Sequence, residues 1–243
     1  MFIFRYLRFS SIILSFLLIV TGCDLSVKQQ EKLTEVEQLY NQGQYQNAMN
    51  VARFNLSKNP QDLASIVTVW KIQVLQGTKS TEYVQQFYSQ ARERVLDYGE
   101  KLIPYLGRAL AEDPYNTVRL FALYCLSEFE DTLSSHYIAK VLEPDYELGR
   151  KPSNVTLDLL RTEAAMILGK RKYTPAFDGI VALTKNPDGE VRATAAMALG
   201  FLGDERALPV LEELRKDNYT VGGSRWVAEM ADSAIARIKR GQK

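Results

Sequence analysis

Histidine and cysteine are nearly absent from this chain. Its 243 residues include one histidine, His136, and two cysteines, Cys23 and Cys125. A catalytic triad needs an oriented histidine, and a zinc site needs several thiol or imidazole ligands. A glycine-rich loop that could cradle phosphate groups is also missing. The sequence therefore predicts no catalytic residues, no metal site and no cofactor, and it argues against an enzyme.

An excess of charge of either sign is missing as well. Lysine and arginine number 30, and aspartate and glutamate number 29. This balance gives the chain no electrostatic attraction to nucleic acid or to acidic substrates. We therefore expect no nucleic-acid partner.

The longest apolar run lies at the start of the sequence. Arg5 and Arg8 come before a run over residues 9–20, which is short for a membrane span but suits a signal peptide. The run ends in Val20-Thr21-Gly22-Cys23. A pair of small residues directly before a cysteine resembles the lipobox of bacterial lipoproteins. The alternative interpretation is a plain N-terminal anchor helix with an incidental cysteine.

The lipoprotein resemblance implies a membrane anchor. Residues 1–22 would be the signal peptide, Cys23 the lipidation site, and residues 23–31 the lipidated cysteine with a polar tether. Acyl chains such as palmitate would then hold the protein on a bacterial cell membrane or outer membrane, with its body in the periplasm. The choice between the two membranes stays open. Acylation of Cys23 would leave Cys125 without a disulfide partner, and its apolar neighbours predict a buried thiol.

Runs of alternating β-branched residues, which are typical of strands, are also lacking. Apolar residues recur instead at helical spacing, and glycine and proline fall between the runs. This pattern predicts an all-α fold, a right-handed solenoid of stacked antiparallel helix pairs.

Residues 32–98 are predicted to form a tetratricopeptide-like helical region. Gly43 would occupy the turn of the first helix pair, and Pro60 would end its second helix because proline cannot continue a helix. Trp70, in the next pair, is interpreted as a core residue. The residues that resemble a tetratricopeptide repeat are Leu39, Tyr40, Gly43, Tyr45, Ala48, Ala52, Leu56 and Pro60.

Residues 99–243 contain a clearer internal repeat. Three segments share an apolar residue followed by arginine, then an alanine three residues later and a leucine four residues beyond that. The segments begin at Val118-Arg119, Leu160-Arg161 and Val191-Arg192. They resemble HEAT-like repeats, including the short variety found in phycobiliprotein lyases. The first two copies are further apart, and residues 143–154 account for this as an inserted loop.

The repeated arginines allow two interpretations. Arg119, Arg161 and Arg192 each begin a helix, where the helix dipole does not favour a cation. They would either bond to an acidic group or carbonyl of a neighbouring repeat, or form a row that binds a partner. The candidate partner-binding residues are Tyr115, Tyr146, Trp226, Arg119, Arg161 and Arg192.

These features together predict a lipid-anchored scaffold of the cell envelope. Its helical-repeat surface would bind a protein partner and support assembly of an envelope complex. The alternative is a lyase-like enzyme or a small-molecule-binding repeat protein, which the HEAT-like resemblance suggests.

Overall fold

The computed structural model of the chain describes residues 33–77 and 80–241. These residues form α-helices and short 3-10 turns, with isolated bridges at Tyr115–Lys151 and Val221–Ser224 and no β-strand. The all-α prediction is confirmed. The helices are α1 (Glu35–Asn41), α2 (Tyr45–Lys58), α3 (Leu63–Gln76), α4 (Thr81–Tyr98), α5 (Ile103–Glu112), α6 (Asn116–Leu126), α7 (Thr132–Ala139), α8 (Leu157–Lys170), α9 (Phe177–Leu183), α10 (Gly189–Leu202), α11 (Leu208–Leu214) and α12 (Trp226–Arg240).

Polar side chains and prolines set where several helices begin. Asp131 and Asp188 each accept a hydrogen bond from the backbone N–H two residues later, at 2.8 and 2.9 Å. Such caps satisfy N–H groups that have no partner within the helix. Proline, which needs no N–H partner, stands in the first turn of three further segments. These prolines are Pro104, Pro175 and Pro209.

The helices pack in adjacent pairs, and α8, α10 and α12 lie side by side. The closest approach is at two glycines that follow the repeat motif. A Cβ on Gly169 would lie 2.5 Å from the carbonyl oxygen of Ala198, and one on Gly200 would lie 2.7 Å from Cα of Ala234. Only glycine allows backbones to come this near. The repeat spacing in the sequence therefore corresponds to a direct backbone contact between neighbouring pairs.

The described residues form two hydrophobic clusters. The larger one extends from Ile66 to Ile238 and includes Trp70, which is 2% exposed. The smaller one joins α1, α2 and part of α3, and half-buried Tyr105 packs against both clusters. The core is thus continuous across the predicted boundary between residues 98 and 99. The assignment of two repeat types to the two sides stays a prediction.

The predicted signal peptide, the lipidation site Cys23 and the tether lie outside the described residues. Within residues 33–77 and 80–241, none of the helices combines the length and apolar character needed to cross a bilayer.

Candidate interaction surface

Arg119 ties the loop between α7 and α8 to the start of α6. Its Nε donates to the carbonyl oxygen of Asp113 at 2.7 Å, and its Nη1 donates to that of Glu147 at 2.8 Å. The guanidinium carbon lies 5.4 Å from the ring centroid of Tyr146, whose hydroxyl donates to the carbonyl oxygen of Leu110 at 2.7 Å. Arg119 is 5% exposed. A buried cation needs such partners, so this arginine holds the loop in place.

Backbone contacts hold the same loop on α6. The N–H of Gly149 donates to Oδ1 of Asn116 at 2.7 Å, and the N–H of Lys151 donates to the carbonyl oxygen of Pro114 at 3.0 Å. A Cβ on Gly149 would lie 2.4 Å from that proline oxygen. The insertion predicted over residues 143–154 is therefore a loop that is fixed at several points between Tyr146 and Lys151.

Tyr115 comes just before α6 and belongs to a partly buried polar cluster around Asp113. Its hydroxyl lies 2.8 Å from that of Tyr45, and its N–H donates to Oδ1 of Asp113 at 3.0 Å. The same Oδ1 accepts from the hydroxyl of Tyr40 at 3.2 Å. Oδ2 lies 2.8 Å from Nζ of Lys71, which forms an ion pair with it and lies 3.7 Å from the ring centroid of Tyr40. We call these five residues the Asp113 cluster.

The Asp113 cluster joins the first three helices to α5 and α6. Burial raises the pKa of the Tyr40 and Tyr45 hydroxyls, so both remain protonated donors near neutral pH. Lys71 and Asp113 neutralise each other in a site whose carboxylate side chain is fully covered. Polar groups in such a site are arranged specifically, because an unpaired one would be costly. The cluster is therefore a structural connection between two parts of the stack.

Arg161 and Arg192 also bond within the chain. Arg161 donates to the carbonyl oxygen atoms of Val141 at 3.2 Å and Glu143 at 3.0 Å. Arg192 forms a bidentate pair with Asp217, at 2.7 and 3.1 Å, and donates to two carbonyl oxygen atoms of the turn before α10. Each repeated arginine thus connects the start of its helix to nearby loop backbone or to an acid.

The structure places the predicted binding residues in separate regions. Three of them lie together around the start of α6. Tyr115 and Arg119 both donate to Asp113, and Arg119 lies over the ring of Tyr146. Arg192 pairs with Asp217 before α12, and Trp226 is the first residue of that helix, with 37% of its surface exposed. Their role in partner binding stays a prediction.

One helix, α10, is buried on every side but one. Helices α8, α9 and α12 all contact it. Its residues that are not buried are Glu190, Arg192, Thr194, Met197 and Phe201. All of these except Arg192 follow spacings of four, three and four residues, which places them on one side of the helix.

The same spacing of residues that are not buried occurs on α8 and α12. The glycine contacts described above align the three helices, so the three stripes lie next to one another. We call these residues the open face: Leu159, Glu163, Met166 and Lys170 on α8; Glu190, Thr194, Met197 and Phe201 on α10; Trp226, Met230, Ser233 and Arg237 on α12.

One end of the open face is aromatic and cationic. The guanidinium carbon of Arg237 lies 4.2 Å from the ring centroid of Phe201, and Nζ of Lys170 lies 6.0 Å from it. One turn earlier, Met166 and Met197 are half-buried. The face therefore offers adaptable apolar side chains beside two positive charges.

The open face was not predicted from the sequence, although its methionines recur with the repeat. Met166 and Met197 each stand five residues after a repeated arginine, following two alanines. In a periodic apolar stretch, methionine is expected to be part of the core. Only the packing of α10 between its neighbours shows that Met197 lies on the side that is not covered.

The groups most suited to covalent or metal chemistry are dispersed. Cys125 is fully buried, and this burial raises its thiol pKa well above the usual value, while His136 is exposed on α7. Within the described ranges, no three His, Cys, Asp or Glu side chains are grouped so that they could hold a metal ion. An open cleft of about 580 Å³ beside Tyr146 is lined by both acidic and basic residues, including Glu143 and Arg150.

A match to a family model agrees with the repeat architecture. Residues 157–230 match the family model for HEAT repeats. No curated protein matches the chain. Among solved structures, that of human deoxyhypusine hydroxylase in complex with glycerol is similar at 24% identity and a TM-score of 0.44. That similarity covers 59% of this chain and 45% of the hydroxylase chain, so it extends over less than half of that enzyme. Residues 157–230, which include most of the open face, consist of HEAT-like repeats.

Proposed function

We propose that this protein is a helical-repeat scaffold that binds a protein partner. The open face is the observation that supports this most directly, because it crosses three stacked helices without being covered by another described element. Methionine side chains at its centre are flexible and can adapt to a partner's surface. Stacked repeats produce extended surfaces of this kind.

The proposed place of action is the bacterial cell envelope. The support is the sequence Val20-Thr21-Gly22-Cys23 after an apolar run preceded by Arg5 and Arg8. Lipidation of Cys23 with two or three acyl chains would anchor the protein stably, because a single chain binds a bilayer only marginally. The body would then meet its partner in the periplasm, where it would support assembly of an envelope complex.

In-cell crosslinking of the tagged full chain tests both parts of this proposal. The chain and its Cys23→Ala variant are crosslinked, captured and analysed by mass spectrometry. We expect one reproducible envelope partner, which is lost or strongly reduced when the anchor is removed. Labelling with a palmitate analogue should mark the chain but not the variant. Absence of a protein partner from both forms would contradict the scaffold, and equal labelling of both would contradict lipidation at Cys23.

A further inference from the structure

The charges of the open face are separated along the helices. Glu190 lies near the start of α10 and Glu163 lies in the middle of α8, whereas Lys170 and Arg237 lie in the last turns of α8 and α12. Glu190 and Phe201 are eleven positions apart, which is about 16 Å along a helix. A partner that covers the methionines and the cationic end therefore stays away from Glu190 and meets half-buried Glu163 only at the border of the covered area.

The two cations at that end are exposed to a partner, and the nearest acid of the open face, half-buried Glu163, acts on Lys170 only through a Coulombic attraction. Lys170 and Arg237 form no ion pair and donate no side-chain hydrogen bond within residues 33–77 and 80–241, and both are exposed. Both approach the ring of Phe201, so their charged heads lie within about 10 Å of each other. A guanidinium and an ammonium this close form a favourable site for carboxylates, with Phe201 as an apolar floor.

The surface beside the cations is apolar. Met166 and Met197 lie one turn before Lys170 and Phe201, and Met230 continues the apolar surface on α12. A partner must therefore present apolar side chains and carboxylates on one side, in two neighbouring rows. An amphipathic α-helix does this naturally, because residues three or four positions apart lie on the same side.

We propose that the open face binds an acidic amphipathic α-helix of the partner protein, an inference that rests on the proposed scaffold function. Two carboxylates, one or two turns apart, contact Lys170 and Arg237. Apolar side chains of the same helix cover Met166 and Met197. Because neighbouring helices lie about 8–10 Å apart, crossing α8, α10 and α12 takes about 20 Å, or about 13 residues of helix.

A defined peptide tests this chemistry directly. The probe is a fluorescein-labelled helical peptide of about 15 residues, with leucines along one stripe and glutamates beside them. A matched peptide has lysine in place of every glutamate. Fluorescence anisotropy measures binding of both peptides to the full chain in detergent, at low and at high salt. We expect the glutamate peptide to bind at least about tenfold more tightly, with weaker binding at high salt.

Charge-reversal variants locate the binding site. The double variant Lys170→Glu with Arg237→Glu should weaken binding of the glutamate peptide about tenfold and favour the lysine peptide instead. The control reverses Lys101 and Lys185, which are exposed elsewhere and change the net charge equally. Met197→Gln should weaken binding of both peptides, because it removes an apolar contact. Circular dichroism confirms that each variant keeps its helical content.

Several outcomes would overturn the proposal. Equal binding of the two peptides would contradict the proposal that the partner helix is acidic. An equal loss of peptide affinity in the control variant would show that the effect comes from the net charge of the chain and not from Lys170 and Arg237. In cells, a photo-crosslinking residue at exposed Ser233 should capture the partner, and one at Lys185 should not. Capture of the partner at Lys185 alone would exclude the open face as the binding site and leave the scaffold function standing. Capture of a second copy of the chain at Ser233 would do the same. Failure to capture a partner from anywhere on the chain would instead contradict the scaffold function.

Discussion

Gly169 and Ala198 bring α8 and α10 into backbone contact. A Cβ on the glycine would lie 2.5 Å from the carbonyl oxygen of the alanine, a distance that real Cβ atoms do not reach. Alanine is the better helix former by about 1 kcal/mol, but overpacking a rigid backbone contact costs about 1–3 kcal/mol. The packing term wins because the obstructing atom belongs to the backbone and cannot rotate away.

We therefore expect Gly169→Ala to lower the free energy of unfolding by up to about 2 kcal/mol. Denaturant unfolding of the full chain in detergent measures it. The matched control is Gly241→Ala, since the nearest atom to a Cβ there is 3.5 Å away and the backbone φ is −68°. Gly241→Ala should be close to neutral. Equal stability of the two variants would mean that α8 and α10 can separate without cost.

Replacing Asp113 with asparagine should destabilise the fold strongly. The variant keeps the side-chain shape but leaves the Lys71 cation without its counter-charge in a site with 13% side-chain exposure. Loss of one partner of a buried pair costs about 3 kcal/mol or more. The comparison is Glu212→Gln, which breaks an exposed pair with Arg215 and should leave the unfolding midpoint unchanged. Similar midpoints for both variants would contradict the structural role of the Asp113 cluster.

The fold class could be predicted from the sequence because it depends on local patterns. Helical spacing, and the glycines and prolines between helices, are properties of short segments. The arginine repeat left two interpretations open, a bond from each arginine to a carbonyl or an acid and a row that binds a partner. The partner of Arg119, the carbonyl of Glu147, could not be predicted, because it depends on how the inserted loop folds back.

The open face depends on information that local patterns do not contain. Met197 and Ala198 are neighbours in the same apolar helix, yet one is half-buried and the other is covered by Gly169. Which side of α10 faces outward is set by the contacts with α8, α9 and α12 together. The sequence contains the residues, but only the stacked helices show which of them remain accessible.

Arg119→Lys should expose the loop over residues 143–154 to protease. Lysine cannot reach both carbonyl groups that the guanidinium binds, and it lacks the planar group that stacks on Tyr146. We expect trypsin to cut after exposed Arg150 about tenfold faster than in the unaltered chain, because local opening controls cleavage. Arg206→Lys, at an exposed pair with Asp204, is the control. An unchanged cleavage rate would show that the backbone contacts to Asn116 and Pro114 are enough.

The Arg192–Asp217 pair should make stability depend on acid pH. The hydrogen bond from Arg192 holds the pKa of the Asp217 carboxyl below its usual value of 3.8. As pH falls, the unfolded chain therefore binds the proton first, and the stabilisation is lost as pH falls through the folded pKa, below about pH 4. Asp217→Asn should cost about 1 kcal/mol at pH 6 and progressively less toward pH 2. Denaturant unfolding at several pH values measures this, and a difference independent of pH would contradict it.

Cys125 should react with thiol reagents only when the chain unfolds. Its side chain lies on α6 and is fully buried in the hydrophobic core, so reagents cannot reach it. Burial also raises the thiol pKa well above the usual value, so little of the reactive thiolate is present. The experiment uses a Cys23→Ser chain, in which Cys125 is the remaining thiol. At pH 8, labelling of the folded chain by an alkylating reagent should be slow. It should become fast above the unfolding midpoint in denaturant. Where unfolding limits the labelling rate, that rate should not depend on the reagent concentration. Rapid labelling of the folded chain would mean that α6 opens locally and that the core around it is less tightly packed than its burial indicates.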